Sequence, residues 1–302
     1  MSTAADQDAA DSSTDDGRPP GTDPTRWKGV AKAVAAKVKE NHVPLNASGV
    51  AFWGFLSIIP GLVALVSIYG LVSDPDDIEA RIDDVAAALP DEVRQLVVQQ
   101  LESITATGGG ALTIGLIVSV AAALWTASSG VNYLIEALNV AFDRVESRGF
   151  LIRRGLSLLF TVGALIVVGL VVAVITAAPA VLSGLGLAGP LRWVVSLALW
   201  PVIGLIMMVA LAVLYRHGPD RDPDTPWTWT STGSVLAVVG WVIASVAFQV
   251  YVGNFGSYNE TYGSLGAIVV MLLWLLISAL MVLVGAEVNA EIERRTEPAI
   301  DE

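Results

Sequence analysis

The chain of 302 residues is 54% hydrophobic and 15% charged, with a mean hydropathy of +0.64, which excludes an ordinary soluble domain. Its net charge of −12 collects in an acidic N-terminal tail and one acidic loop, so it says little about partners. There are no cysteines, which excludes disulfides, thiolate metal sites and cysteine nucleophiles.

Residues 1–25 are rich in Asp, Ser, Gly and Pro and nearly lack large apolar side chains. Such a segment cannot bury enough surface to offset its ordering entropy, and it reads as a disordered acidic tail. No cleavable signal peptide is apparent in it, so the first spanning helix is expected to serve as the insertion signal. Over residues 26–44 the pattern changes. Trp27, Val30, Ala31, Val34 and Val38 share one helical face, and Lys28, Lys32 and Lys39 another. That pattern predicts a basic amphipathic helix. Lying on the membrane, it would pair those lysines with anionic lipid headgroups; packing on its own protein is the other reading.

An apolar run follows at about 47–72, kinked by Pro60, which removes a backbone hydrogen bond. Residues 73–110 are polar and acidic. Asp74 and Pro75 read as a helix start, and Val93, Leu96, Val97, Leu101 and Ile104 recur at helical spacing. Amphipathic helices against the outer face are the expectation there. Five more apolar runs come at about 111–138, 155–178, 191–215, 233–253 and 265–286. Twenty helical residues span about 30 Å, the thickness of a bilayer's hydrocarbon core. Small residues recur every four positions in three runs: Gly115, Ser119, Ala123 and Ala127; Gly169, Ala173 and Ala177; Gly240 and Ala244. Such stripes let membrane helices approach closely. Pro179 marks the exit of the third span and Pro201 bends the fourth. The expected class is all-α: a polytopic membrane protein with six transmembrane helices over residues 45–292 and a short tail at 293–302.

Basic residues set the topology. Of the 17 Lys and Arg, all but Arg81, Arg94 and Arg192 fall on one side of this six-span arrangement. The positive-inside bias therefore places both termini in the cytoplasm and the acidic 73–110 segment outside.

Charges close to apolar helices are expensive and mark candidate sites. Glu136 lies about one turn inside the end of span two, and Glu287 in the final turn of span six. Topology places them at one leaflet with Asn132, Asn139 and Asn289, and with Arg153, Arg154 and Arg216 on adjoining helix ends. Together they predict a polar vestibule that gates, or takes up protons, during transport. Ion pairs and caps at the membrane edge are the competing reading. Tyr251, Asn254, Tyr258, Asn259 and Tyr262 read as an interfacial belt on the other side. His217 with Asp220, Asp222 and Asp224 is the nearest approach to a metal cluster, but its Pro-rich setting reads as a solvated turn. A ribonuclease would need metal ligands and a basic groove. No metal, cofactor or nucleic-acid partner is expected.

Blocks along residues 27–292 are similar to one family. They are Ala51-Phe52, Ser57-Ile58-Ile59-Pro60, Ser128-Ser129-Gly130, Ala137-Leu138-Asn139, Leu214-Tyr215-Arg216 with Pro219, and Trp227. The strongest are Tyr262-Gly263-Ser264-Leu265-Gly266-Ala267, Leu273-Trp274 and Gly285-Ala286-Glu287-Val288-Asn289-Ala290. The chain resembles the YihY/BrkB family of bacterial inner-membrane proteins, formerly labelled ribonuclease BN. The resemblance implies six helices, a cytoplasmic N-terminus and a bacterial inner-membrane location. It supplies no established activity, the nuclease label being regarded as a misassignment. The expected function is transport or translocation of a lipid or envelope component; the alternative is a non-transporting assembly or envelope-integrity factor.

Overall fold

The computed structural model describes residues 24–72, 110–184, 190–221, 231–254 and 264–296. The predicted tail up to residue 23, the acidic segment at 73–109, Asp222, Asp224, Trp227, Tyr258, Asn259, Tyr262 and residues 297–302 lie outside them. The described residues form seven helices: α1 (Pro24–Glu40), α2 (Val43–Val72), α3 (Gly110–Ala141), α4 (Phe150–Gly184), α5 (Pro190–His217), α6 (Thr232–Asn254) and α7 (Ser264–Thr296). No strand occurs among the described residues. Helices are what such runs must form, because hydrocarbon offers no partner for backbone N–H and C=O groups.

Within the described residues, α2, α4, α5, α6 and α7 are long and apolar enough to cross a membrane. α3 is the sixth long helix. It carries Glu136 as its one charge. Each long helix packs on its sequence neighbours, and α7 returns to pack on α2 and α3, closing the bundle. The buried core lies at the end where α2 starts and α3, α5 and α7 finish. It includes Val43, Ala47, Leu138, Phe142, Tyr215, Leu283 and Ala286. Elsewhere large apolar side chains such as Ile166, Trp200 and Ile243 point outward. That exposure suits a lipid solvent.

Three features depart from the sequence reading. The basic segment ends at a turn, with His42 at φ 49°, so α2 begins at Val43 rather than near residue 47. α4 continues through Pro179 to Gly184, where a stop had been expected. In a membrane helix the freed carbonyl has no competing water, and the helix persists beyond the proline. α7 runs to Thr296, about ten residues past the predicted end of its span, because Glu291, Arg294 and Arg295 extend it as a polar helix. α1 packs on its own protein through its apolar face. Val30 and Val34 are buried against Val288 and Ile292 of α7, leaving Lys28, Lys32 and Lys39 exposed.

Close approach is achieved at a few glycines. A Cβ on Gly130 of α3 would lie 3.0 Å from Ser57 Oγ and 3.2 Å from the Gly54 Cα of α2. Ala127, from the predicted α3 stripe, sits beside Gly61 in the same seam. Gly240 of α6 faces Met281 of α7. The α4 stripe is different, since a Cβ at Gly169 would meet nothing within 4 Å. The tightest seam joins Gly233 of α6 to Gly285 of α7. A Cβ on Gly285 would stand 2.6 Å from the Gly233 carbonyl oxygen and 2.7 Å from Tyr215 Oη. Gly285→Ala is therefore expected to destabilise the detergent-solubilised protein by about 1–3 kcal/mol, the usual range for overpacking. Gly169→Ala should leave the thermal midpoint unchanged. Equal midpoints for the two variants would contradict the seam.

Candidate functional site

The polar side chains gather where α7 leaves the apolar core. With 3.6 residues per turn, consecutive positions on α7 face different neighbours. Gly285 admits α6 and lies under Tyr215, whose hydroxyl donates to the Val282 carbonyl at 2.6 Å. Val288 packs on α1. Asn289 Oδ1 accepts the Gly233 N–H at 2.7 Å, and its Nδ2 donates to Ser231 Oγ at 2.8 Å. Ser231 precedes α6 and its Oγ accepts the Ser234 N–H, so the start of α6 is capped twice, once locally and once from α7.

Glu287 is the most deeply placed charge-bearing group there, at 0% exposure. Its Oε1 accepts a 2.8 Å hydrogen bond from Asn41 Nδ2, from the turn between α1 and α2. Its Oε2 is buried with no hydrogen-bond partner among the described residues. A ring of fixed charges lies nearby. Asp143 Oδ2 binds Arg294 Nη1 at 2.7 Å and Lys37 Nζ at 3.5 Å, linking α7, α1 and the end of α3. Arg295 donates to Glu291 at 2.6 Å and to the Gly29 carbonyl at 3.1 Å, fastening α1 along α7.

A second group ties the α3–α4 loop to the segment after α5. Arg148 grips Glu146 through Nε at 2.6 Å and Nη2 at 2.7 Å, and donates to the Gly218 carbonyl at 2.9 Å. Asn139 donates to Glu146 and accepts the Asp220 N–H at 2.7 Å. Asp220 accepts from both the Ser147 N–H and the Ser147 hydroxyl. The Arg148 guanidinium holds the Glu146 carboxyl below its ordinary range, and the Ser147 donors do the same for Asp220. Both therefore stay ionised, and the loop pair is held as a rigid plate. Arg221 lies over the Phe142 ring at 4.0 Å and reaches Glu293 at 2.5 Å.

A third group sits between α3 and α4. Arg153 Nη1 and Asn132 Nδ2 each approach Glu136 Oε1 at 3.1 Å, with Ser157 beside Asn132. Arg154, the next residue, goes elsewhere. Its guanidinium stacks over Trp125 at 4.2 Å and its Nη2 donates to the Trp125 carbonyl.

The predicted residues are thus one end of the bundle but several groups. Asn132, Glu136 and Arg153 meet; Asn139, Asn289, Glu287 and Arg154 each serve a different network. Arg216 is half-buried in the last turn of α5. Pro60 and Pro201 lie inside α2 and α5. Sequence reasoning passed over Asn41, Asp143, Glu146 and Ser231; all but Glu146 act across long sequence separation. A polar residue at the mouth of every span end was the available signal. Among the described residues no group of three or more His, Asp or Glu side chains is placed to hold a metal.

The sequence profile of the family described as virulence factor BrkB matches residues 34–302. A Bacillus subtilis protein named putative ribonuclease-like protein YfkH is 30% identical over 255 residues, covering 83% of this chain and 90% of its own. UPF0761 membrane proteins of Rhodospirillum centenum and Ralstonia nicotianae are each 26% identical, over 87% and 83% of this chain. The chain spans only 57% and 56% of those two. No solved structure matches.

Proposed function

Because the chain belongs to the BrkB family of multi-pass membrane proteins, we propose that it translocates a lipid or another envelope component across a bacterial inner membrane. The observation that carries this reading is Glu287. A carboxyl group at 0% exposure in a spanning helix is expensive, and a purely structural one would have both oxygens engaged. Oε2 has no such engagement among the described residues. It is free to accept a proton or a polar group of the cargo, and Asn41 transmits the change to the turn joining α1 and α2. The prolines inside α2 and α5 supply the breaks at which spanning helices can bend. The nuclease wording of the Bacillus relative finds little support here, since the described polar groups pair carboxylates with arginines or amides rather than cluster them.

The orientation belongs to the same proposal. Lys28, Lys32 and Lys39 form an exposed basic face suited to anionic headgroups, and the excess of Lys and Arg on one side supports a cytoplasmic position for both termini. With no native cysteine, a Val145→Cys variant reports on this without background, as Val145 is 88% exposed in the α3–α4 loop. A membrane-impermeant maleimide should label it in inverted vesicles and not in intact spheroplasts. The reverse pattern would overturn the orientation.

Translocation itself is tested in liposomes, by leaflet exchange of fluorescent anionic and zwitterionic lipids. Wild type is expected to exceed empty vesicles, and Glu287→Gln, which cannot exchange a proton, to fall at least tenfold. Rates equal to empty vesicles for every lipid would remove lipid translocation and favour the assembly-factor reading.

A further inference from the structure

Two polar stripes face each other across the α3–α4 seam. On α3, Ser128, Asn132 and Glu136 recur every fourth residue, and on α4 Arg153, Ser157 and Thr161 do the same, so each set shares one helical face. The helices run antiparallel, which pairs Arg153 with Glu136 at 3.1 Å and brings Ser157 Oγ within 3.5 Å of Asn132 Oδ1. One turn deeper, the same register sets Thr161 at the level of Ser128. The stripes therefore run inward for about 12 Å, the rise of the eight residues from Glu136 to Ser128. They are open at the loop end, where the Glu136 and Arg153 side chains are 42% and 29% exposed. They are buried at depth, with Ser128 and Ser157 at 0% and Thr161 at 5%.

Hydroxyls between membrane helices commonly serve by bonding across the interface. These do not. The Ser128, Ser157 and Thr161 hydroxyls donate to the Trp125, Arg153 and Ser157 carbonyls of their own helices, at 2.8, 3.0 and 2.7 Å. A serine has one hydroxyl hydrogen, so the longer approach of Ser157 to Asn132 adds little. The ties that do cross come from the arginines at the start of α4, Arg153 to Glu136 and Arg154 to Trp125. The α2–α3 seam is built differently. There the Gly130 N–H donates across to Ser57 Oγ, and a Cβ on Gly130 would meet the Gly54 backbone. On α4, a Cβ at Gly155 or Gly163 would meet nothing within 4 Å. Below its mouth the α3–α4 seam can thus part with little loss of hydrogen bonding, and parting exposes acceptor oxygens.

We propose that this seam is the path along which the headgroup of an aminophospholipid leaves the leaflet on the side of the α3–α4 loop. The ammonium passes from Glu136 to the oxygens of Asn132, Ser157 and Thr161 while the acyl chains stay in the lipid. α3 and α4 are 32 and 35 residues long. Helices of that length run roughly 48–52 Å and outreach a hydrocarbon core of about 30 Å. Glu136 and Arg153, five and three residues from the loop-side ends, therefore stand among the headgroups. Both bonds to Glu136 end on Oε1, which leaves Oε2 for an ammonium, and the Arg153 guanidinium beside it suits a phosphate. The deeper groups of the stripes offer oxygen acceptors and no charge, which favours a headgroup with N–H donors over a trimethylated one. The path rests on the translocation reading, and not on the role given to Glu287.

The test uses the full chain in liposomes and exploits its lack of native cysteine. Acyl-labelled phosphatidylethanolamine should exchange between leaflets about tenfold faster than acyl-labelled phosphatidylcholine, the weight of one hydrogen bond to a charged group. An Asn132→Cys/Ser157→Cys variant is compared before and after its thiols are joined by a short cleavable cross-linker. Joining should bring exchange down to the rate of empty vesicles, and cleavage should restore it. Thr161→Cys gives a readout that needs no transport. It should react with a charged, water-soluble thiol reagent, whereas Ile166→Cys, at a lipid-facing position 64% exposed, should not. Exchange that persists in the cross-linked variant, or a Thr161→Cys variant as unreactive as Ile166→Cys, would overturn the seam as the path. If the double variant is inactive even before cross-linking, the Thr161→Cys reaction decides. Equal rates for the two lipids would overturn the aminophospholipid as the cargo. Wild type no faster than empty vesicles, with Thr161→Cys reactive, would instead remove the translocation reading and the path with it.

Discussion

The packing where α1, α2, α5 and α6 meet α7 depends on one stretch of α7, residues 285–290. Inside a bilayer, apolar helices gain little by leaving lipid for each other, so association rests on close backbone contact and a few polar bonds. Gly285 supplies the contact by letting α6 and Tyr215 approach the α7 backbone. Asn289 supplies a cap for α6, Glu287 a tie to the α1–α2 turn, and Val288 a seat for α1. Four elements are therefore positioned by four residues within one six-residue stretch, and a change of rotation in α7 would misplace them together.

That concentration bears on the proposed function. The peripheral ion pairs are satisfied and fasten the loops: the Arg148–Glu146–Asp220 plate, and the Asp143 bridge between Lys37 and Arg294. Glu287, at the centre, has a partner for only one of its oxygens among the described residues. In the proposed reading, a change at Glu287 reaches the α1–α2 turn through Asn41 while the paired rim holds its place.

Length and apolar content made the architecture legible from sequence, since a run of twenty apolar residues has few alternatives. The special character of the Gly285-Ala286-Glu287-Val288-Asn289-Ala290 stretch was legible too, as was the placing of charges at one end. What sequence could not supply was rotation. Arg153 and Arg154 are adjacent and chemically identical, yet one faces Glu136 and the other Trp125, because 100° of helix separates them. The apolar face of α1 is equally suited to lipid and to α7, and only the position of Val288 and Ile292 decides. Pro179 misled for a related reason. The rule that proline ends a helix comes from water, where the freed carbonyl has another partner.

The contact on which the rest turns is the hydrogen bond from Asn41 to Glu287. Its most direct measurement is a double-mutant cycle on unfolding free energy in detergent, with Asn41→Ala, Glu287→Leu and the combined variant. A coupling of about 1 kcal/mol or more is expected for a buried bond of this kind. Strictly additive effects would mean that α1 and α7 are not joined there, and that Glu287 serves the bundle in some other way.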